Sequence, residues 1–207
     1  MTILILTNPL IVFDNIKKLL SQLFFINGTF FNLTMKILVT YYSDTGNTEK
    51  IAIAIKNGLA DQEVDLIPVK EVDPISLCSY DLVFLGSGIY GFNVNRKVTT
   101  LIKKAEKLPS KFAYFYTHES KTPWPDAFKS VNKILGNFDC QILGEFDCCG
   151  ENLVSKAEEQ RQAFLSRLTP EKQKEAEETY LNNVKGHPDD TDCERARNFA
   201  ISILKKL

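Results

Sequence analysis

The stretch that decides the fold is Lys36-Ile37-Leu38-Val39-Thr40-Tyr41-Tyr42-Ser43-Asp44-Thr45-Gly46-Asn47-Thr48. Its first half, Lys36–Tyr42, is apolar, β-branched and aromatic, which reads as a strand buried on both faces. Its second half packs hydroxyls and a glycine into a short polar loop. Glu49–Ala60 then carries apolar residues at 51, 52, 55 and 59, the spacing of a helix. At a helix N-terminus the first backbone N–H groups lack partners and the dipole is positive, so an anion is favoured there. Ser43, Thr45 and Thr48 add hydroxyls, Asp44 and Asn47 complete the loop, and Gly46 permits close backbone approach. The loop holds no lysine or arginine and lacks the G-x-x-x-x-G-K-[ST] pattern, which points to a phosphate held by neutral donors rather than to an NTPase. Helix capping by Asp44 or Thr45 is the simpler alternative.

The alternation continues outward. Val64–Val69, Leu82–Leu85, Phe112–Tyr116 and Gln141–Phe146 read as further strands, with helices at Val94–Lys107 and Ala127–Leu135. Strands alternating with helices form a parallel sheet covered on both faces. In such sheets ligands bind beyond the carboxyl ends of the strands, here the loops 43–48, 86–93, 117–124 and 147–151. After Gly150 the texture turns to Glu, Lys and Gln, predicting a charged helical pair over 151–185 with Thr169 as N-cap and Pro170 as first residue. Gly186-His187-Pro188 stops it. Asp189 and Asp190 open a last helix whose Cys193, Ala196, Phe199, Ala200, Ile203 and Leu204 face the sheet. Lys205 and Lys206 suit its C-terminal end.

Gly86-Ser87-Gly88-Ile89-Tyr90-Gly91 spells G-x-G-x-x-G after a strand, and Glu119 lies near the end of the next one. Taken alone, this is the fingerprint of an NAD-dependent dehydrogenase. That fingerprint belongs in the first strand-to-helix turn, whereas this one follows the third strand.

Tyr42–Thr48, directly after the first strand of the pattern, resembles the FMN phosphate loop of flavodoxins, T/S-x-T-G-x-T. The likeness covers about residues 35–150 plus the last helix. It implies an α/β fold, a flavodoxin-like doubly wound five-stranded parallel sheet in the order 2-1-3-4-5, here with a helical insert before the last helix. It also implies non-covalent FMN used for electron transfer. Ser43, Thr45, Gly46, Asn47 and Thr48, with Asp44 in the same loop, would surround the phosphate. Ser87, Gly88, Ile89, Tyr90 and Gly91 would wrap the ring, with Tyr90 or Phe92 stacked on it. Thr117 and His118 fall at the family's second ring loop, without its frequent aromatic-and-aspartate pattern. A protonated His118 would raise the flavin potential and a carboxylate such as Glu119 would lower it. Trp124, between two prolines, would either shield the flavin or pack the loop, packing being the expectation. The insert follows the fifth strand, whereas long-chain flavodoxins interrupt that strand.

Charge narrows the function classes. The chain has 25 basic and 26 acidic residues; residues 35–150 hold 13 and 14, and residues 151–207 hold 10 and 11. No basic excess marks a nucleic-acid surface. Nor is there the strong acidity with which electron carriers steer basic partners. An FMN-dependent NAD(P)H:quinone-type or tetrapyrrole reductase is therefore an alternative to the FMN electron carrier, and a cofactor-free interaction module is the last. The expected partner is a redox protein or a small-molecule acceptor, with NAD(P)H as a possible donor. The 5 cysteines are odd in number and lack C-x-x-C spacing, so no disulfide framework is predicted; Cys148 and Cys149 read as buried, inert thiols in a cytoplasmic protein. Residues 1–34, with only Asp14, Lys17 and Lys18 charged, read as an N-terminal extension, disordered or a mis-assigned start ahead of Met35. A membrane-associating helix is the other reading of that segment. Residues 35–207 form the flavodoxin-like domain, with its insert at about 151–188.

Overall fold

The computed structural model describes residues 23–26, 29–32, 34–120 and 122–207. It divides into two compact units, Met1–Met35 and Lys36–Leu207. In the first, β1 (Leu23–Ile26) and β2 (Thr29–Asn32) pair antiparallel, Leu23 opposite Asn32 and Ile26 opposite Thr29. This pairing departs from the disorder that the composition of residues 1–34 predicts; two short aromatic runs flank Asn27-Gly28, which is a hairpin signal. The remaining expectations for 1–34, a mis-assigned start or a membrane-associating helix, lie outside the described residues.

The second unit contains β3 (Lys36–Tyr42), α1 (Asn47–Asn57), β4 (Glu63–Pro68), β5 (Leu82–Tyr90), β6 (Asn93–Val94), α2 (Arg96–Lys104), β7 (Lys111–His118), α3 (Lys129–Leu135) and β8 (Gln141–Cys149). The insert adds α4 (Ala157–Leu165), α5 (Pro170–Thr179) and a π turn at Tyr180–Val184, and α6 (Asp190–Leu204) closes the chain. The parallel strands run in the order β4-β3-β5-β7-β8, with β6 folded back antiparallel on β5. Leaving β6 aside, this is the expected order 2-1-3-4-5. The switch point lies between β3 and β5, where the direction of winding reverses.

Strand periodicity sorts the core. Leu38, Val83, Leu85, Phe112 and Tyr114 pack with Val98 and Ile102 of α2 and Val131 of α3. On the other face α1 and α6 lie together, burying Ile51, Ile55, Ala196 and Ala200. Phe199 of α6 meets the rings of Phe84 at 6.1 Å and Phe146 at 5.7 Å. Asp189 and Asp192 form a reciprocal capping box at the start of α6. Thr169 and Pro170 take the expected N-cap and first positions of α5, although no Thr169 side-chain bond forms.

Three strands are longer than predicted, and the extra residues matter. β5 continues through Gly86, Ser87 and Gly88, because Gly86 pairs with both Tyr41 and Phe115, and Ser87 with Tyr42 and Tyr116. β7 reaches Thr117 and His118. β8 reaches Cys148 and Cys149, which are strand rather than loop residues. Gly86 and Ser87 bond on both sides, which overrides their poor strand propensity, while the ends of β7 and the edge strand β8 are held by pairing each other.

Candidate cofactor site

The loop after β3 is built around Gly46, whose φ of 87° lies in the left-handed region. Its N–H donates to Ser43 Oγ at 3.0 Å, and its carbonyl accepts the first bond of α1, from Lys50 N–H, at 2.9 Å. The N–H groups of Asn47, Thr48 and Glu49 precede that bond, and no side chain caps them. Capping by Asp44 or Thr45 therefore does not occur. The Asp44 carboxylate instead accepts a bond from Tyr42 Oη at 2.8 Å. Three N–H groups stand open where the dipole is positive, which is the arrangement an anion fills.

Thr48 is buried, and its hydroxyl meets that of buried Thr117 at 2.8 Å. Two hydroxyls carry two protons and one is spent between them, so the pair retains one donor. Asn47 sends its side-chain N–H to Glu151 O at 2.7 Å, tying the loop to the start of the insert. A Cβ on Gly150 would lie 2.7 Å from Asn47 Nδ2, so a larger residue there would displace the Asn47 side chain.

From this loop a cleft of about 490 Å³ runs over the carboxyl ends of β3, β5 and β7. Of the residues predicted from sequence, Asp44, Thr45, Asn47, Gly88, Ile89, Tyr90, Gly91, Thr117 and His118 line it. Ser43, Gly46 and Thr48 stand behind it and shape the loop. Ser87 does not reach it: it is fully buried and accepts the Asn95 N–H at 2.9 Å, fixing the start of α2. The expectation that Ser87 contacts the ring is thus corrected: its hydroxyl is spent between Asn95 N–H and Gly88 O, and it does not line the cleft. The cleft also takes in Ser120, Gly150, Asn152 and Val154. No local pattern in the sequence marks the last two, which arrive through the insert.

The outer wall is aromatic. Gly91 and Phe92 have φ of 53° and 76° and join β5 to β6. Two successive positive φ values make the two-residue hairpin turn whose twist suits antiparallel strands. Phe92 stacks on Trp124 with centroids 4.8 Å apart. Tyr90 meets Tyr42 edge-on at 5.8 Å, and its ring lies over Gly88. Burial and the Asp44 carboxylate push the Tyr90 phenol well above its ordinary pKa, so it remains a neutral hydroxyl.

The floor holds an imidazole. His118 is buried, with Nε2 at 3.1 Å from Asp147 Oδ2 and Nδ1 at 3.0 Å from Ser120 Oγ. The Ser120 hydroxyl donates to Thr122 O at 2.7 Å. The Ser120 N–H, at 3.3 Å from Nδ1, is the longer contact. Burial alone would lower the pKa of His118. The Asp147 hydrogen bond and Cys149 outweigh it and push the imidazole up to about 9.

The G-x-G-x-x-G run makes no dinucleotide turn. Gly86 and Gly88 lie within β5, and the following helix begins at Arg96 after an Asn95 cap. Gly86 is needed because a Cβ would fall 2.1 Å from Phe115 Cζ.

A family model described as a flavodoxin domain matches residues 38–201. The chain belongs to the flavodoxin family. The chain is 30% identical over 184 residues to the flavodoxin-like domain-containing protein BilS of Clostridioides difficile, covering 83% of this chain and 98% of that one. An uncharacterised protein of Methanocaldococcus jannaschii is 29% identical over 172 residues, covering 83% and 99% of the two chains. Among solved structures, oxidised flavodoxin 1 of Bacillus cereus superposes with a TM-score of 0.57 at 16% identity, covering 83% of this chain and 99% of that one. This likeness speaks to the fold.

The residues of this flavodoxin-family cleft fit FMN. One end offers uncapped N–H groups and hydroxyl donors for a dianion, and the other is walled by aromatic rings and two glycines of β5 and its turn. Among the described residues no helix is long and apolar enough to cross a membrane.

Proposed function

We propose that this chain holds FMN non-covalently in the cleft and transfers electrons through it. The observation that carries the reading is the uncapped N-terminus of α1, open at one end of an aromatic-walled cleft at the switch point of the sheet. The N–H groups of Asn47, Thr48 and Glu49, the Thr45 hydroxyl and the spare proton of the Thr48–Thr117 pair would hold the phosphate. Gly88, Tyr90, Gly91 and the Phe92–Trp124 stack would enclose the ring and exclude water. Bound FMN supplies one- and two-electron chemistry, so no side chain need act as acid or base. A protonated His118 beside the cleft would favour added negative charge there. All five cysteines are free thiols, which suits a reducing, cytoplasmic setting. Electrons would come from a partner protein or NAD(P)H and leave to a partner or a small acceptor. The balanced charge of the domain favours the small acceptor over long-range steering of a protein.

The purified protein should be yellow and release FMN, rather than FAD or riboflavin, on denaturation. A colourless protein that takes up no added FMN would overturn the reading. Thr45→Ala combined with Thr48→Val, which keeps the buried shape, should weaken FMN binding by about 1.5–3 kcal/mol for each bond lost to the charged phosphate. Fluorescence titration of the apoprotein with FMN measures this.

A further inference from the structure

The insert borders a second, half-open space, larger than the proposed cofactor cleft. It measures about 780 Å³, against about 490 Å³ for the cleft. The two adjoin: Glu119, Asn152 and Val154 line both. Its volume falls within the ~300–1,000 Å³ of small-molecule sites.

The walls have a consistent chemistry. Leu153, Val154 and Phe164, which are 68%, 39% and 57% exposed, all border this space, and Leu165, Leu168 and Ala176 continue the apolar lining. Exposed large apolar side chains gathered around one concavity mark a binding surface. Four of the polar side chains among them, Glu151, Glu158, Arg161 and Tyr180, are already paired. Arg161 gives two bonds to Glu158, at 3.0 and 2.8 Å, and its guanidinium lies 4.6 Å over the Tyr180 ring. Tyr180 donates to Glu151 at 2.6 Å, and the second Glu151 oxygen accepts the Gly186 N–H at 2.8 Å. Arg161 is thus committed and offers no free fork to an anion. The remaining charged groups are Lys172 against Glu119 and Glu175, so the carboxylates are in excess.

We infer that this compartment binds an uncharged, apolar, conjugated ring compound beside the FMN cleft, the apolar walls taking the ring and the excess of carboxylates turning anions away. The choice of a redox-capable ring rests on the FMN reading above; the compartment itself does not. The protein would then be a reductase with its own substrate site, and α4, α5 and the π turn would be the walls of that site rather than a wet appendage.

The test uses calorimetric titration of the full chain, with and without bound FMN. The probe is duroquinone, whose fully methylated ring cannot alkylate the free cysteines; naphthalenesulfonate is the anionic comparison. Duroquinone should bind whether or not FMN is present, and about tenfold or more tightly than the sulfonate. Phe164→Asp and Leu153→Asp, both at exposed positions, should each weaken duroquinone about tenfold, the loss of one apolar side-chain contact. Both variants should keep wild-type FMN affinity and circular dichroism. Equal binding of the two probes, competition of duroquinone by FMN, or indifference to both substitutions would overturn the inference. If FMN binds and duroquinone does not, the inference fails and the cofactor reading stands. If duroquinone binds and FMN does not, the reverse holds.

Discussion

Phe92 sits where a side chain is costly. Its φ of 76° places it in the left-handed region, at about 1–2 kcal/mol for an L-residue. The position calls for glycine or asparagine on conformational grounds, yet the aromatic ring there stacks on Trp124 at 4.8 Å and walls the cleft while remaining 67% exposed. Phe92→Gly relieves the strain and loses the stack, worth about 0.5–1.5 kcal/mol, together with some chain entropy. Urea unfolding of the apoprotein should therefore stay within roughly 1 kcal/mol of wild type. FMN should nevertheless dissociate faster, as read by the rise in free-flavin fluorescence on dilution. Unchanged release would mean that the ring is no part of the site. Phe92 was legible as an aromatic in the ring loop; its strained turn was not, because turn type depends on the pairing of Tyr90 with Asn93.

At the scale of the element, β5 is the instructive case. Gly86-Ser87-Gly88 has poor strand propensity and reads as loop, yet it bonds β3 on one side and β7 on the other. A ladder on both flanks overrides local preference. Gly86 serves the packing of Phe115 rather than a pyrophosphate. Gly86→Ala should cost at least the ~1–3 kcal/mol of an overpacked core, measured by chemical denaturation. Equal stability would reopen the nucleotide-turn reading. β7 and the edge strand β8 extend by pairing each other, Thr117 with Cys148 and His118 with Cys149, carrying residues expected in loops onto the strand ends. Helix α1 shows the converse. Its loop was legible because Ser, Thr and Gly mark an open helix start, and the structure bears this out through the missing cap.

For the molecule as a whole, the buried imidazole makes a pH-dependent contribution. The folded pKa of His118, about 9, lies above its ordinary 6.5. Its contribution to stability is thus fully present below pH 6.5 and is lost as pH rises through 9. Between those limits the unfolding free energy should fall more steeply for wild type than for His118→Gln, by the slope of one proton. Parallel curves would show that the ring is neutral in the fold.

Sequence alone determined the alternation of strands and helices, the hydroxyl- and glycine-bearing loop after β3 and the near neutrality of each segment. These are local properties, set by side-chain periodicity and by which backbone donors a helix start leaves unpaired. Tertiary structure decided what each glycine is for, which hydroxyls face the cleft, and that the insert borders a compartment beside it. Asn152 and Val154 carry no signal of their own. They reach the cleft because Asn47, distant in the chain, bonds the Glu151 carbonyl and draws the start of the insert across the sheet edge. A site assembled from chain-distant residues depends on how they pack, and no spacing along one chain encodes that directly.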